Sequence, residues 1–143
     1  KGFDSIKHLL VRSGQKTKAT IIMATVEGDI HDIGKKIVCL MLRKYGYQVV
    51  DLGKDVPAQT IVQAAKEHEA QIIGLSALMT TTMVRMEETI HLVREQNLSC
   101  QVMVGGAVVT QDFAQTIGAH GYAEDAVAAV RMATALCTKI NQD

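Results

Sequence analysis

Short apolar runs alternate along the chain with longer segments in which apolar residues recur at helical spacing. The first run, TIIMATV over residues 20–26, is apolar and β-branched and therefore predicts a strand that is buried on both faces. Residues 35–45 then place apolar side chains three and four positions apart and stop at Gly46, which predicts a helix. The same criteria predict further strands over 46–53, 71–76, 101–104 and 121–122, and further helices over 57–68, 83–96, 110–117 and 124–139.

Strands and helices that alternate at these lengths predict one α/β domain in which helices cover both faces of a parallel sheet. Right-handed crossovers between the five predicted strands favour the doubly wound, flavodoxin-like (Rossmann-like) order 2-1-3-4-5. In that order, four loops follow the carboxyl ends of strands and meet at one edge of the sheet. They contain His31, the polar turn 76–82, the Gly105-Gly106 pair and Tyr122. We therefore expect a ligand-binding crevice at this edge.

Composition narrows the class of protein. With 143 residues, the chain is long enough for one domain with a full core and too short for two of ordinary size. Fifteen basic residues balance fifteen acidic ones, so no net charge favours nucleic acid or an anionic membrane as a partner. No apolar run has membrane-spanning length, and we expect a cytoplasmic protein. Three scattered cysteines in apolar surroundings suit buried thiols in a reducing compartment, namely Cys39, Cys100 and Cys137.

The first 18 residues differ from the rest of the chain. Residues 3–11, FDSIKHLLV, place apolar residues at helical intervals, and the polar stretch 13–18 that follows is typical of a linker. We interpret residues 1–18 as the end of a preceding helical segment with its linker, and residues 19–143 as the domain itself.

Residues 27–34, EGDIHDIG, place a histidine between carboxylates in the loop after the first strand. Histidine is a common metal ligand, and Asp29 is placed to hydrogen-bond the ring nitrogen of His31 that does not bind the metal. The alternative is a surface turn in which aspartates accept N–H groups of the next helix. The spacing alone leaves both interpretations open.

Two later loops carry similar alternatives. Gly105-Gly106 would let a ligand approach the backbone closely, but the pair also suits an ordinary strand-to-helix turn. The hydroxyl groups of residues 80–82 offer donors and acceptors to a polar ligand, but threonines also cap helices, and we expect at least one of them to cap the next helix.

Taken together, these loops resemble a known family. The pattern D-x-H-x-x-G at 29–34, followed by S-x-L at 76–78 and Gly105-Gly106, is similar to the signature of cobalamin-binding domains. The stretches GDIHDIGK, VDLGKDVP, GLSALMTTT and VGGA look like the corrinoid proteins of methyltransferase systems for methylamines, methanol or aryl methyl ethers, and like the cobalamin module of methionine synthase. The resemblance covers roughly residues 20–136 and implies cobalamin or a related corrinoid as the cofactor.

The resemblance also implies how the chain holds the cobalt. His31 would bind the metal from below in place of the cofactor's own base, and Asp29 would hydrogen-bond the other ring nitrogen. Methionine synthase has a serine behind this pair, and Thr82 would complete the same relay here.

The displaced nucleotide tail would enter the crevice, where the resemblance implies contacts with Ser76 and Thr80. A valine at Gly105 or Gly106 is then expected to cost more corrinoid affinity than fold stability. The stretch 118–126 matches a tail-contacting loop, although His120 and Glu124 stand where many relatives have aspartate and proline. The complete set of implied cofactor contacts is Asp29, Ile30, His31, Asp32, Ile33, Gly34, Ser76, Leu78, Thr80, Thr82, Gly105, Gly106, Tyr122 and Ala123.

The function that the resemblance implies is that of a carrier component rather than a complete enzyme. The carrier would take a methyl group on cobalt from a methyl-donor methyltransferase and deliver it to an acceptor methyltransferase, such as a tetrahydrofolate-dependent one. A reductive activase would maintain the cobalt. Relatives also carry a helical bundle over the upper face of the corrin, of which residues 1–13 would supply at most the last helix.

Three other functions are alternatives to the methyl carrier. A radical mutase subunit shares the fold and the ligand histidine, but the stretches DIGK and MTTT follow the methyltransferase pattern. A cobalamin-dependent sensor or store would bind the cofactor without methyl turnover. A phosphoacceptor response regulator has the same sheet order, but it needs an aspartate at the end of a central strand, where this chain has Ser76.

Overall fold

The computed structural model describes residues 19–142. The predicted helical segment and linker of residues 1–18 lie outside the described residues, and that boundary stays a prediction. The described chain alternates strands and helices without interruption. Its elements are β1 (Thr20–Thr25), α1 (Ile33–Lys44), β2 (Gln48–Asp51), α2 (Ala58–Glu67), β3 (Ile72–Ser76), α3 (Thr80–Glu95), β4 (Gln101–Gly105), α4 (Gln111–Thr116), β5 (Gly121–Ala123) and α5 (Ala126–Gln142).

The sheet has the order β2-β1-β3-β4-β5, and all four neighbouring pairs of strands are parallel. This confirms the predicted flavodoxin-like topology. Chain direction across the sheet reverses between β1 and β3, whose register pairs Thr25 with Ser76 at the carboxyl edge. Open α/β sheets bind ligands at such a reversal, because the loops on either side of it separate there.

Each face of the sheet has its own core. Ile22 and Ala24 of β1 pack with α2 and α3, and Ile21 and Met23 of the same strand pack with α1 and α5. All four side chains are buried, as the continuous apolar run predicted for a strand with helices on both sides.

Several element boundaries differ from the predicted ones. Helix α3 begins at Thr80 rather than near residue 83, so the threonines of the predicted polar turn form the first turn of the helix. Pro57 is the N-cap of α2 instead of its first helical residue, and Gly105 belongs to β4. Such shifts of a few residues arise where tertiary contacts set the end of an element.

The cysteines agree with their prediction in part. Cys39 and Cys100 are buried free thiols, and the Cys137 side chain is half-buried. Burial raises the pKa of Cys39 to about 11, so this group stays a neutral, apolar part of the core. Within residues 19–142, the helices lack the combination of length and apolarity that a membrane span requires.

Candidate functional site

A cavity of about 960 Å³ opens at the carboxyl edge of the sheet, on the side covered by α1 and α5. It is bounded by the ends of β1, β3 and β4 and by the loops that follow them. This volume is at the upper end of the range for small-molecule sites. Ten of the predicted contact residues line it: Ile30, His31, Asp32, Ile33, Gly34, Ser76, Leu78, Gly105, Gly106 and Ala123.

Asp29 and His31 form a hydrogen-bonded pair at the mouth of this cavity. Nδ1 of His31 lies 2.7 Å from Oδ1 of Asp29, and the backbone N–H of His31 donates to the same oxygen at 3.0 Å. An ionised carboxylate only accepts, so Nδ1 carries the proton and Nε2 keeps its lone pair. The His31 side chain is 45% exposed, whereas that of Asp29 is fully buried. The pair therefore presents one basic ring nitrogen toward the cavity side of the loop.

The second oxygen of Asp29 accepts hydrogen bonds from the β3–α3 loop and from the first turn of α3. Thr82 donates its hydroxyl hydrogen to Oδ2 at 2.6 Å, and the backbone N–H groups of Leu78 and Met79 donate at 2.8 and 3.2 Å. Burial alone would raise the pKa of Asp29, but the hydrogen bonds from Thr82, Leu78 and His31 outweigh it and hold the pKa well below the ordinary value. Asp29 is thus a buried anion whose two oxygens are both occupied.

These contacts correct the capping interpretations of both loops. Asp29 bonds residues of its own loop and of the β3–α3 loop rather than the first turn of α1. Asp32 is the N-cap of α1 but makes no side-chain capping bond within the described residues. Met79 is the N-cap of α3, and the one hydroxyl hydrogen of Thr82 lies between two acceptors, the Asp29 carboxylate at 2.6 Å and the Met79 carbonyl oxygen at 3.0 Å. The threonine hydroxyl therefore serves the histidine pair and not an N-cap.

A clamp from the next loop holds the backbone of this pair. The Asp55 carboxylate accepts the N–H of Gly28 at 2.7 Å, and the Asp55 N–H donates to the carbonyl oxygen of Asp29 at 2.9 Å. Asp55 takes a φ of 55°, in the left-handed region that aspartate tolerates better than most residues. No pattern in the sequence indicates this contribution of Asp55.

The glycine pair lines the cavity and also packs closely against neighbouring backbone. A side chain on Gly106 would overlap the carbonyl oxygen of Ala77, and its φ of 129° is strained for other residues. A Cβ on Gly105 would lie 2.8 Å from the carbonyl oxygen of Ala123. Both clashes are with backbone, so a valine at either position disrupts the fold first. Such variants are thus expected to cost fold stability as well, and the balance between that loss and the loss of corrinoid affinity stays a prediction.

Gly34 is the glycine that leaves space for a ligand. In the described part of the chain, nothing lies within 4 Å of the position of a Cβ on this residue, which lines the cavity from α1. Beside it, Ile30 and Ile33 also line the cavity but are 63% and 77% exposed. Apolar side chains exposed together at a concave site mark a surface that a ligand or partner covers.

Three other predicted residues lie outside the cavity lining. Thr80 is exposed at the start of α3, and Tyr122 packs against the core on the α2 and α3 side of the sheet. The ring Nδ1 of His120 accepts the backbone N–H of Val102 at 2.9 Å, and the backbone N–H of His120 donates to the Val102 carbonyl oxygen. Within the stretch 118–126, the residues that line the cavity are 123–126.

A buried ion pair between Lys35 and Asp51 lies beside the cavity and was not predicted from the sequence. The ammonium group of Lys35 is fully buried, contacts the Asp51 carboxylate and donates to the Gly53 carbonyl oxygen at 2.9 Å. Burial raises the pKa of Asp51, but the hydrogen bonds from Lys35 and Gly53 outweigh it and leave the pKa below its ordinary value. The strand pattern around Asp51 and the helical pattern around Lys35 do not indicate that these two side chains form an ion pair.

The described residues hold no cluster of three or more His, Cys, Asp or Glu side chains with the geometry of a metal site. A metal bound through His31 must bring its other ligands with it. A corrin ring does so, because it supplies the four nitrogen atoms around its cobalt. The open space at Gly34, the exposed apolar rim and the single imidazole nitrogen therefore fit a metal inside a macrocycle better than a bare ion.

The fold and the site together define a doubly wound α/β domain with a large cavity at its sheet reversal and one histidine at the mouth of that cavity. The family model described as "B12 binding domain" matches residues 19–131. The chain therefore belongs to the family of B12-binding domains, and its cofactor is cobalamin or a related corrinoid.

Individual relatives give the same result. The chain is 46% identical over 138 residues to dimethylamine corrinoid protein 1 of Methanosarcina acetivorans and to dimethylamine corrinoid protein 3 of Methanosarcina mazei. It spans 94% of its own length in both alignments, but 65% of the first relative and 83% of the second. Among solved structures, the methanol:cobalamin methyltransferase complex MtaBC of Methanosarcina barkeri matches with a TM-score of 0.82 and 38% identity, over 95% of this chain and 54% of that chain.

Proposed function

We propose that this chain is the corrinoid-binding part of a methyl carrier that acts between two methyltransferases. The single observation that carries the proposal is the Asp29–His31 pair, which presents one imidazole nitrogen beside a cavity large enough for a nucleotide tail. The relatives support the methyl-transfer role, since two are named dimethylamine corrinoid proteins and a third match is a methanol:cobalamin methyltransferase complex. Residues 19–143 would form the corrinoid-binding domain.

In this proposal His31 ligates the cobalt through Nε2, and Asp29 and Thr82 control the basicity of that nitrogen. A buried carboxylate that accepts from Nδ1 makes Nε2 a stronger donor to a metal. Nε2 would be the one atom of the ring that is available to the cobalt, and the buried carboxylate of Asp29 would keep the Nδ1 proton in place.

The other residues hold the cofactor in place. Ile30, Ile33 and Leu78 would cover the lower face of the macrocycle, and Ser76 would contact the tail inside the cavity. When bound, the corrinoid supplies a cobalt atom that takes a methyl group from one partner and gives it to another. Contacts through Thr80 and Tyr122 stay predictions, because these residues lie outside the cavity lining.

The partners follow from the same proposal. A methyltransferase for a methylamine or for methanol would supply the methyl group, and an acceptor methyltransferase, such as a tetrahydrofolate-dependent one, would receive it. A reductive activase would return inactive cobalt to use. The cytoplasmic location predicted from composition would suit these partners.

The experiment has two stages. The apo-protein is loaded with cobalamin, and paramagnetic resonance of the Co(II) form is recorded with natural histidine and with histidine that carries a heavier nitrogen isotope. A superhyperfine pattern that changes with the isotope supports ligation by a histidine. The reduced, loaded protein is then mixed with purified methyltransferases and dimethylamine, trimethylamine or methanol, and methylation is followed by absorption.

The results of the two stages distinguish a methyl carrier from a sensor or store and from a mutase subunit. Methylation with one donor, followed by transfer to an acceptor, supports the carrier. Tight binding without methylation by any donor favours a sensor or store, and carbon-skeleton isomerisation with a partner subunit favours a mutase. A pattern without nitrogen splitting contradicts ligation by a histidine.

A further inference from the structure

The deep end of the cavity is formed by three residues in one row across the sheet. Register pairs Met23 of β1 with Gly74 of β3, and Gly74 with Met103 of β4, and all three line the cavity. The next row toward the cavity mouth contains Ser76 and Gly105 on the same face. Two residues along a strand span about 6.6 Å, so the methionine row lies that much deeper than Ser76.

The glycine in this row lets the two methionines meet. A methyl group on Gly74 would overlap the Met23 sulfur and would lie 3.4 Å from Cε of Met103. Both methionine side chains are almost fully buried, at 4% and 3% exposure. The two thioethers therefore lie over the bare backbone of β3 and form the floor of the cavity.

Methionine is an adaptable residue at such a place. Its unbranched side chain has three rotatable bonds, and its polarizable sulfur contacts aromatic rings favourably. One row further from the mouth, the same face carries Ile21 and Ile72, which are β-branched and stiff. Adaptable side chains on this face are thus placed where a ligand reaches the sheet.

We propose that Met23 and Met103 form an adaptable floor for the tail base, so that the site accepts corrinoids whose tail bases differ in size. The inference rests on the proposed function, since it takes the cavity to hold the nucleotide tail. The bases concerned are flat aromatic groups of one or two rings, namely phenols, benzimidazoles and purines. A two-ring base would reach the thioethers, and these would move to admit it.

The test measures binding of four corrinoids to the full chain. Three are complete cobamides with a phenolic, a benzimidazole or a purine base, and the fourth is cobinamide, which lacks the tail base. For the parent protein we expect dissociation constants for the three cobamides within about tenfold of one another. The Gly74→Ala variant should push the Met23 sulfur into the cavity and weaken the two-ring cobamides by about tenfold more than the phenolic one. Cobinamide binding should not change.

Two further variants separate this effect from damage to the fold. Gly74→Ala combined with Met23→Ala removes the overlap and should restore much of the lost affinity for the two-ring bases. Gly121→Ala is the matched control, because a methyl group there would overlap the sulfur of Met132 outside the cavity lining. Its selectivity among the cobamides should equal that of the parent, whatever it does to the melting temperature.

The inference and the proposed function fail differently. Gly74→Ala that weakens all three cobamides and cobinamide equally, or none of them, overturns the adaptable floor. A parent protein that binds one base more than about a hundredfold tighter than the others also overturns it. A parent protein that binds neither cobamides nor cobinamide contradicts the proposed function itself.

Discussion

The Oδ1 atom of Asp29 accepts both the ring Nδ1–H and the backbone N–H of His31, at 2.7 and 3.0 Å. Two bonds to one oxygen fix the tautomer of the imidazole and also the orientation of its ring. The Asp29 carboxylate is fully buried, whereas the His31 ring is nearly half exposed. The charge that orients the imidazole is therefore shielded from water, and the imidazole itself is accessible. Such an arrangement fixes the tautomer and the orientation of the imidazole before any metal binds.

His31→Ala should remove nitrogen ligation of the cobalt but retain much of the corrinoid affinity. In the proposed complex the cavity would hold the nucleotide tail independently of the metal bond, so the dissociation constant should rise far less than the spectrum changes. Paramagnetic resonance and titration measure the two effects. His91→Ala, on the exposed face of α3, is the matched control and should leave the spectrum unchanged. A nitrogen splitting that persists without His31 would exclude it as the ligand.

Thr82→Ala should destabilise the apo-protein by about 2 kcal/mol, because it removes a hydrogen bond to a buried charge. The pKa of Asp29 should also rise, because the hydrogen bond from the Thr82 hydroxyl lowers this pKa more than any other hydrogen bond to the carboxylate. Urea unfolding at several pH values measures both effects. Thr82→Ser keeps the hydroxyl and should lie close to the parent. If the alanine and serine variants are equally stable, the hydroxyl contributes nothing.

The stability of the apo-protein should fall in acid because of Asp29. Its folded pKa lies below the ordinary aspartate value of 3.8, so its contribution is fully present above that pH. The contribution is lost as the pH falls below 3.8 toward the folded pKa, and each unit of pKa difference is worth about 1.4 kcal/mol. Asp29→Asn should flatten this part of the stability profile, with a remaining slope from Asp51, whose pKa is also lowered. An unchanged slope in the asparagine variant would contradict the assignment.

Substitutions at Gly106 and Gly34 should have opposite effects on fold stability and on corrinoid binding. Gly106→Ala should lower the free energy of unfolding by about 2 kcal/mol or more, since it combines a backbone clash with a left-handed φ. Gly34→Leu should leave the fold intact, because its side chain points into open space and leucine is a good helix former. The same variant should weaken corrinoid binding by more than about tenfold. Melting of the apo-protein and cofactor titration separate these effects, and the reverse order of results would place the ligand elsewhere.

Asp55→Ala should loosen the loop that carries the histidine pair. It removes the acceptor for Gly28 and places alanine at a positive φ, which together should cost about 1–2 kcal/mol. Asp55→Asn keeps an acceptor oxygen and tolerates the left-handed region, so it should recover most of the loss. The nitrogen splitting of the loaded protein, measured in all three forms, should weaken in the alanine variant alone. Equal splitting in parent and alanine variant would limit Asp55 to a role in stability.

The sequence by itself determined the order of elements, the sheet topology and the residues that come to the binding edge. Apolar runs and helical periodicity are local properties, and parallel strands joined by right-handed crossovers leave few topologies to choose from. The edge followed from the topology, since every loop after a parallel strand opens on the same side. For this reason His31, Ser76 and Gly105 were predicted near one another although 45 and 29 residues separate them in turn.

Only the tertiary structure decided what each residue at that edge does. Asp29 is a buried anion because of groups in the β3–α3 loop and the first turn of α3, which lie 49 to 53 residues further along the chain. Gly106 became a packing requirement through the Ala77 carbonyl oxygen, and Gly34 became the open position because nothing in the described chain faces it. Hydrogen-bond partners and free space are properties of pairs and of gaps between elements. A pattern along one strand or helix carries no information about them until the chain is folded.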